Sequence, residues 1–431
     1  MTDHKMRLRA LAGGAAFGLA AMLAGPALAE EVTLSFLVDN GPQTVPAAQK
    51  LADDFMAKNP DIKIELETRP GGGDGDNIVK TRLATGEIGD VFLYNSGSLF
   101  QQINPGKYLV DLSAEPWQAD IQPAFQKVVT AGGKIYGAPI QTAMGGGVLY
   151  NKKIYADLGL SVPKTWAEFM ANNAKIKAAG KVPVIQTFKD TWTSQLFVLG
   201  DFYNVQAAVP GFADDYTANK AKFATTPAAL KGFEHQAEVF KAGDLNADFA
   251  AATFDDGIRM LTAGEGAHYP MLTFAVGAIK TNAPEHLGDV GFFALPGDDA
   301  AKNGLTAWMP PGVYISNESA HVDAAKKFVA FIASKEGCDA QTAGAGVTGP
   351  YLVKTCALPA DVPPAVADLQ TYFDKDGAAA PALEFVSPVK GPSLEQITVE
   401  VGSGIRTPAD GAALYDEDVK KQAQQLGLPG W

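Results

Sequence analysis

The stretch IYGAPIQTAMGGGVLYNKKIYADLGLSVPKTWAEFM, Ile135–Met170, decides how the chain is read. Three consecutive glycines, Gly145–Gly147, lie between a small polar run and the apolar, strand-like VLYN. A glycine-rich turn cradles phosphate where a helix N-terminus follows and faces the anion. Here a strand follows, the spacing does not fit G-x-G-x-x-G, and no Gly-Lys-Ser/Thr completes a P-loop. The glycines read instead as a place where backbone bends and lets a ligand approach closely, at an entropic cost. A bulge that only packs two strands is the alternative. Just downstream, Thr165-Trp166-Ala167-Glu168 is a capping box opening a helix that ends at Gly180.

Outward from this stretch, strand-like and helix-like segments alternate. EVTLSFLV and IKIEL read as strands, VPAAQKLADDFMAKNP and NIVKTRLATGE as helices, and DVFLYN as a third strand. This β-α-β-α-β order implies a parallel, doubly wound sheet, because parallel neighbours need crossover helices. A second region follows Gln141. VPVIQT, AHYPM, DVGFFALP and GVYIS read as strands, and Thr226-Pro227 and SAHVDAAKKFVAFIAS mark helices. DGAALYDEDVKKQAQQLG reads as a charged C-terminal helix. GGGDGDN (Gly71–Asn77) and PADVPP (Pro359–Pro364) are the most loop-like spots.

With 431 residues, 47% hydrophobic and 19% charged, the chain is globular and long enough for two lobes. A net charge of −13 argues against a nucleic-acid surface, which needs a basic stripe. At the N-terminus, Lys5, Arg7 and Arg9 precede the apolar LAGGAAFGLAAMLAG and a small-x-small pattern ending at Ala29. The apolar run falls short of the roughly 20 residues of a membrane span and reads as a secretory signal peptide cleaved after Ala29. No cysteine follows the cleavage point, and Leu8 interrupts the arginines, so neither a lipid anchor nor a twin-arginine signal is indicated. Export places Cys338 and Cys356 in an oxidising compartment, where they read as a disulfide.

Nothing in the sequence argues for catalysis. The five histidines are scattered, with no H-E-x-x-H and no Cys/His cluster. No G-x-S-x-G elbow is present. Asp74-Gly75-Asp76-Asn77 has its glycine misplaced for a calcium loop. No acidic doublet stands out as a glycosidase pair. No cofactor and no metal are therefore expected. What recurs instead is an aromatic beside amides and hydroxyls at predicted strand ends. Tyr94-Asn95-Ser96, Asp190-Thr191-Trp192, Met271-Leu272-Thr273-Phe274 and Ala307-Trp308-Met309 are the instances. Ligands of open α/β sheets bind beyond such ends. A sugar offers C–H faces to aromatic rings and hydroxyls that need paired donors and acceptors.

At these residues the chain resembles the family 1 extracellular solute-binding proteins, the maltose-binding type that serve carbohydrate ABC transporters. The resemblance covers nearly all of the chain after residue 29. It is carried by Ile135–Met170, with its Y-G-x-P, L-Y-N-K and G-L-x-x-P-x-T-W-x-E-F segments, and by TGEIGDVFLYNSGSLFQQ, GEGAHYPMLTFAVGAIK and AAKKFVAFIASKEG. It implies a two-lobed α/β periplasmic-binding-protein fold, each lobe a doubly wound sheet flanked by helices, with the ligand cleft between lobes. Residues 30–140 plus 307–353 would form the N-terminal lobe, and 141–306 plus 354–431 the C-terminal lobe. The loop Asn40–Gln43 would border the cleft, as would Tyr94-Asn95-Ser96. Gln141–Gly145, including Met144, would line the first crossing, and Trp308–Gly312, including Met309, the second. Phe274 stands where the family usually has tryptophan, and Leu272 where it has glycine.

The resulting expectation is a monomeric periplasmic protein that captures a neutral saccharide by lobe closure and delivers it to a membrane permease. Two alternatives stay open. One is a secreted carbohydrate-active enzyme, a lyase or hydrolase. The other is the same fold binding a charged small molecule, although no Tyr-Tyr pair or arginine cluster favours it.

Overall fold

In the computed structural model, residues 31–431 are described, so the signal-peptide reading of Met1–Ala29 lies outside them. Two sheets, each with its own core, organise the molecule. In the first, the strand Val32–Asp39 lies between Ile62–Arg69 and Val91–Tyr94 and runs parallel to both. Gly312–Ile315 then adds antiparallel to Val91–Tyr94, and Gly137–Pro139 closes that side. The edge strand alternates as a half-buried strand should, with Ile62 and Ile64 buried and Lys63 and Glu65 exposed. The helices Thr44–Lys58 and Val322–Ile332 cover the first sheet, and Phe55 and Phe328 meet at 5.0 Å.

The second sheet is mixed, with antiparallel pairings at its centre. Its long strand Met144–Asn151 runs antiparallel to all three neighbours. Gly266–Leu272 lies on one side, and Val290–Ala294 and Leu305–Trp308 share the other. Only the outer pairings, Val182–Val184 with Gly266–Leu272 and Leu305–Trp308 with Ala379–Pro381, are parallel. Helix-linked crossovers set direction where consecutive strands pair. Here the neighbours come from distant parts of the chain and run back along the central strand.

Leu305–Trp308 pairs with Met144–Gly146, so Ala307 and Trp308 belong to the second sheet. The return crossing thus falls at Met309–Pro311, a few residues later than the 307 boundary read from the sequence. A further passage follows Cys356. Leu352 and Lys354 still bond Gln122 and Asp120, whereas helix Pro364–Phe373 packs on Val290–Ala294, with Phe292 N–H donating to Asp368 at 3.0 Å.

The glycine triplet has a different role from the one expected. None of Gly145–Gly147 has a positive φ, and all three lie within the strand. A methyl at Gly145 would strike Leu369, one at Gly146 the six-membered ring of Trp308, and one at Gly147 the Phe293 carbonyl. These glycines admit close neighbours to the sheet face; they neither bend the chain nor bare it to a ligand. The packing alternative is the correct one. The unusual backbone at this crossing belongs to Gln141, with φ 69°.

Helix starts follow the sequence signals. Thr165 and Glu168 complete the capping box, typically worth about 1 kcal/mol. The supposed GGGDGDN loop is instead the opening of helix Gly72–Thr85, which starts several residues before NIVKTRLATGE. Cys338 and Cys356 are bonded, with Cα atoms 6.2 Å apart.

Candidate functional site

Both sheets turn the same kind of edge toward one cleft. From the first sheet come the carboxyl ends of Val32–Asp39, Ile62–Arg69 and Val91–Tyr94, together with the start of Gly312–Ile315. From the second come the start of Met144–Asn151 and the ends of Gly266–Leu272 and Leu305–Trp308. The cleft has two contiguous chambers. The inner one, about 350 Å³, includes Asp76, Asn95, Ser96, Met144, Trp308 and Met309 in its lining. The outer one, about 650 Å³, includes Asn40, Gln43, Asp190 and Asp255. Asp39, Gly71–Gly73, Trp192, Phe274 and Glu395 border both.

At the boundary, a β-carbon on Gly72 would lie 2.8 Å from Trp192 Cδ1. Gly72 has φ 66°, a region that favours glycine, so the helix start can press against the indole. Trp192 packs with Phe254 at 5.4 Å and Phe274 at 5.8 Å, forming one aromatic wall.

Charged side chains surround the inner chamber, and most are tethered. Arg69 is 5% exposed; its guanidinium donates to the Pro70 carbonyl at 2.9 Å and the Leu93 carbonyl at 3.3 Å, and its Nε has no protein partner. Asp76 accepts from Asn95 Nδ2 at 3.2 Å. Burial pushes its carboxyl up to about 6, although the positive charges of Arg69, Lys80 and Lys390 pull the other way. Glu384 accepts from Trp308 Nε1 at 2.5 Å and from Lys390 Nζ at 2.9 Å. Gln102 donates to the Lys390 carbonyl at 3.3 Å and accepts from Lys80 at 3.0 Å, linking the two sides of the cleft. Glu395 accepts from Thr191 Oγ1 at 2.5 Å.

Of the residues singled out in the sequence, Asn95, Ser96, Met144, Trp192, Phe274, Trp308 and Met309 line the inner chamber. Ser96 does so while donating to the Pro310 carbonyl at 2.9 Å. Trp308 is only 5% exposed, wedged over Gly146, so it presents little ring face. Asn40, Gln43, Asp190, Trp192 and Phe274 line the outer chamber, where Asp190 accepts from Phe254 N–H at 2.6 Å.

The others do not reach either chamber. Tyr94 and Met271 are fully buried in the cores, because their side chains fall on the covered face of their strands. Gly145 and Gly312 are packed against Leu369 and Tyr314. Gln141 faces a small separate cavity with Gln43, Thr142 and Gln341, and its N–H donates to Gln341 at 2.5 Å. Sequence reading missed Arg69, Asp76, Lys80, Glu384, Lys390 and Glu395. The last three come from a C-terminal segment with no motif. Asp76 was hidden by reading GGGDGDN as a turn. No cluster of His, Cys, Asp and Glu suited to a metal occurs among the described residues.

Residues 41–337 match the family model for bacterial extracellular solute-binding proteins. The chain belongs to this family. Curated relatives include the multiple sugar-binding protein of Streptococcus mutans, 26% identical over 66% of this chain and 67% of that one. The melibiose/raffinose/stachyose-binding protein MelE of Bacillus subtilis is 25% identical over 70% of each chain. Among solved structures, a chitin oligosaccharide binding protein superposes with a TM-score of 0.78 at 22% identity, over 92% of this chain and 100% of the other. The raffinose complex of RafE gives 0.74 at 20% identity, over 92% and 99%. These structures share the two-lobed fold.

Proposed function

We propose that this family member captures a neutral saccharide between its two lobes and delivers it to the membrane permease of an ABC importer. The observation that carries the reading is the inner chamber. An aromatic wall of Trp192 and Phe274 stands beside polar groups that can pair hydroxyls. Its charges nearly balance, with Asp39, Asp76, Glu384 and Glu395 against Arg69, Lys80 and Lys390. Such a set hydrogen-bonds a neutral polyol well and gives an anion no net attraction. The sugar-binding relatives point the same way.

By sheet membership we assign residues 31–140 plus 309–356 to one lobe and residues 141–308 plus 357–431 to the other. One is built on the sheet of Val32–Asp39, and the other on that of Met144–Asn151. Ligand contacts on both would favour the closed state through differential affinity. Membership of an extracellular family agrees with export. We assign residues 1–29 as a signal peptide cleaved after Ala29, a periplasmic location and a monomeric state.

The test is a thermal-shift screen of the purified protein across saccharides, followed by chromatography of the ligand after incubation. A ligand at 100 times Kd stabilises by about 2.7 kcal/mol. Stabilisation with the saccharide recovered intact supports the binder. Stabilisation accompanied by shortened or unsaturated products supports a carbohydrate-active enzyme instead.

A further inference from the structure

The two chambers differ in chemistry. The inner chamber is bordered by half-buried aliphatic side chains: Leu99 from the first lobe, Leu199 and Leu272 from the second, and Met309 at the crossing. Among the described residues lining the outer chamber there is no leucine, isoleucine, valine or methionine. Its apolar surface comes from Trp192, Phe254, Phe274 and prolines, beside Asn40, Asp190, Thr191 and Asp255.

This asymmetry limits what can sit inside. A buried sugar hydroxyl needs a hydrogen-bond partner, and an aliphatic side chain supplies none. A leucine also lacks the flat face that stacks on a pyranose ring. An apolar group placed against Leu99, Leu199, Leu272 and Met309 removes carbon surface from water on both sides of the contact. The charged groups of the same chamber remain for the ring hydroxyls around it.

We propose that the inner chamber takes a methyl-terminated substituent on the ligand's terminal sugar, with the hydroxylated remainder in the outer chamber. N-acetylated amino sugars and 6-deoxy sugars are two kinds of saccharide that carry such a group. The proposal rests on the saccharide reading above and narrows it.

A glycan array spanning both kinds, with matched unsubstituted partners, tests it. N,N′-diacetylchitobiose is paired with cellobiose, and L-fucose with L-galactose, and calorimetry ranks the binders found. The tightest binder is expected to carry the methyl group and to bind at least about tenfold tighter than its matched partner, the lower end of what one apolar group achieves in a hydrophobic pocket. Leu199→Asn and Leu272→Asn, each first checked for an unchanged circular-dichroism spectrum, should each narrow the ratio between the two affinities of a matched pair. A tightest binder without any methyl-terminated group overturns this inference and leaves the saccharide reading standing. No binding to any glycan overturns both. A preference that survives both substitutions also overturns the inference, because the apolar group would then be seated elsewhere.

Discussion

Gly72 and Trp192 meet across the cleft, so close that a β-carbon on the glycine would stand 2.8 Å from the indole. Gly72 opens a helix of the first lobe, whereas Trp192 sits in a short 3-10 turn of the second, and both border the two chambers. Trp192→Ala should weaken saccharide binding by about 1–3 kcal/mol, combining lost buried area with lost ring contact. Gly72→Ala should weaken it as well, since a methyl forces the indole aside. Unchanged titrations for both variants would show that this contact lies outside the binding surface.

Gly146→Ala tests the packing role of the triplet. The added methyl would collide with Trp308, whose Nε1 is held by Glu384. Overfilling a close-packed site costs about 1–3 kcal/mol. Urea unfolding should show a lower midpoint at unchanged slope. An unaltered midpoint would mean that the strand face has room to spare.

Asp201 supplies a pH signature remote from the cleft. It is 2% exposed and accepts from Asn204 Nδ2 at 2.8 Å. Burial pushes its carboxyl up to about 8. Because this is a raised value, its contribution is fully present below the unfolded-state pKa and is lost as pH rises through the folded one. Between those two values the unfolded chain releases a proton that the folded chain keeps, and stability falls by roughly 1.4 kcal/mol per pH unit. Asp201→Asn removes this term, so the variant's advantage over the parent should grow between about pH 5 and pH 7.5, as followed by denaturation. Parallel pH profiles for the two proteins would contradict it.

The Cys338–Cys356 bond closes a loop with a sequence separation of 18. Inside this loop Thr348 Oγ1 meets Thr142 Oγ1 at 2.7 Å, and the Pro350 carbonyl accepts from Ala143 N–H at 2.8 Å, tying it to the first crossing. Replacing both cysteines by serine should cost about 3 kcal/mol in the chain-entropy model. Intact-mass analysis of the exported protein should show no alkylation before reduction. Two alkyl groups added without reductant would refute the bond.

Much of this architecture was legible because its signals are local. The capping box at Thr165–Glu168 and the proline start at Pro227 need only neighbouring residues to act. Asn95, Trp192 and Phe274 were found because polar neighbours beside an aromatic at a strand end have a direct physical use. Tyr94 and Met271 failed by the same reasoning, since adjacent residues of a strand point to opposite faces and the covered face looks identical in sequence. Glu384, Lys390 and Glu395 were invisible for another reason. They reach the cleft only through tertiary packing, and nothing in their own segment announces it. The glycine triplet misled because glycine serves both a bending backbone and a crowded face, and only the neighbours Leu369, Trp308 and Phe293 distinguish the two.

The central claim is that this cleft holds one saccharide and closes on it unchanged. Small-angle scattering, recorded with and without the best binder from the thermal-shift screen at saturation, tests it most directly. The radius of gyration should fall on binding, with the ligand recovered intact from the same sample. Superimposable curves, or a consumed ligand, would contradict it.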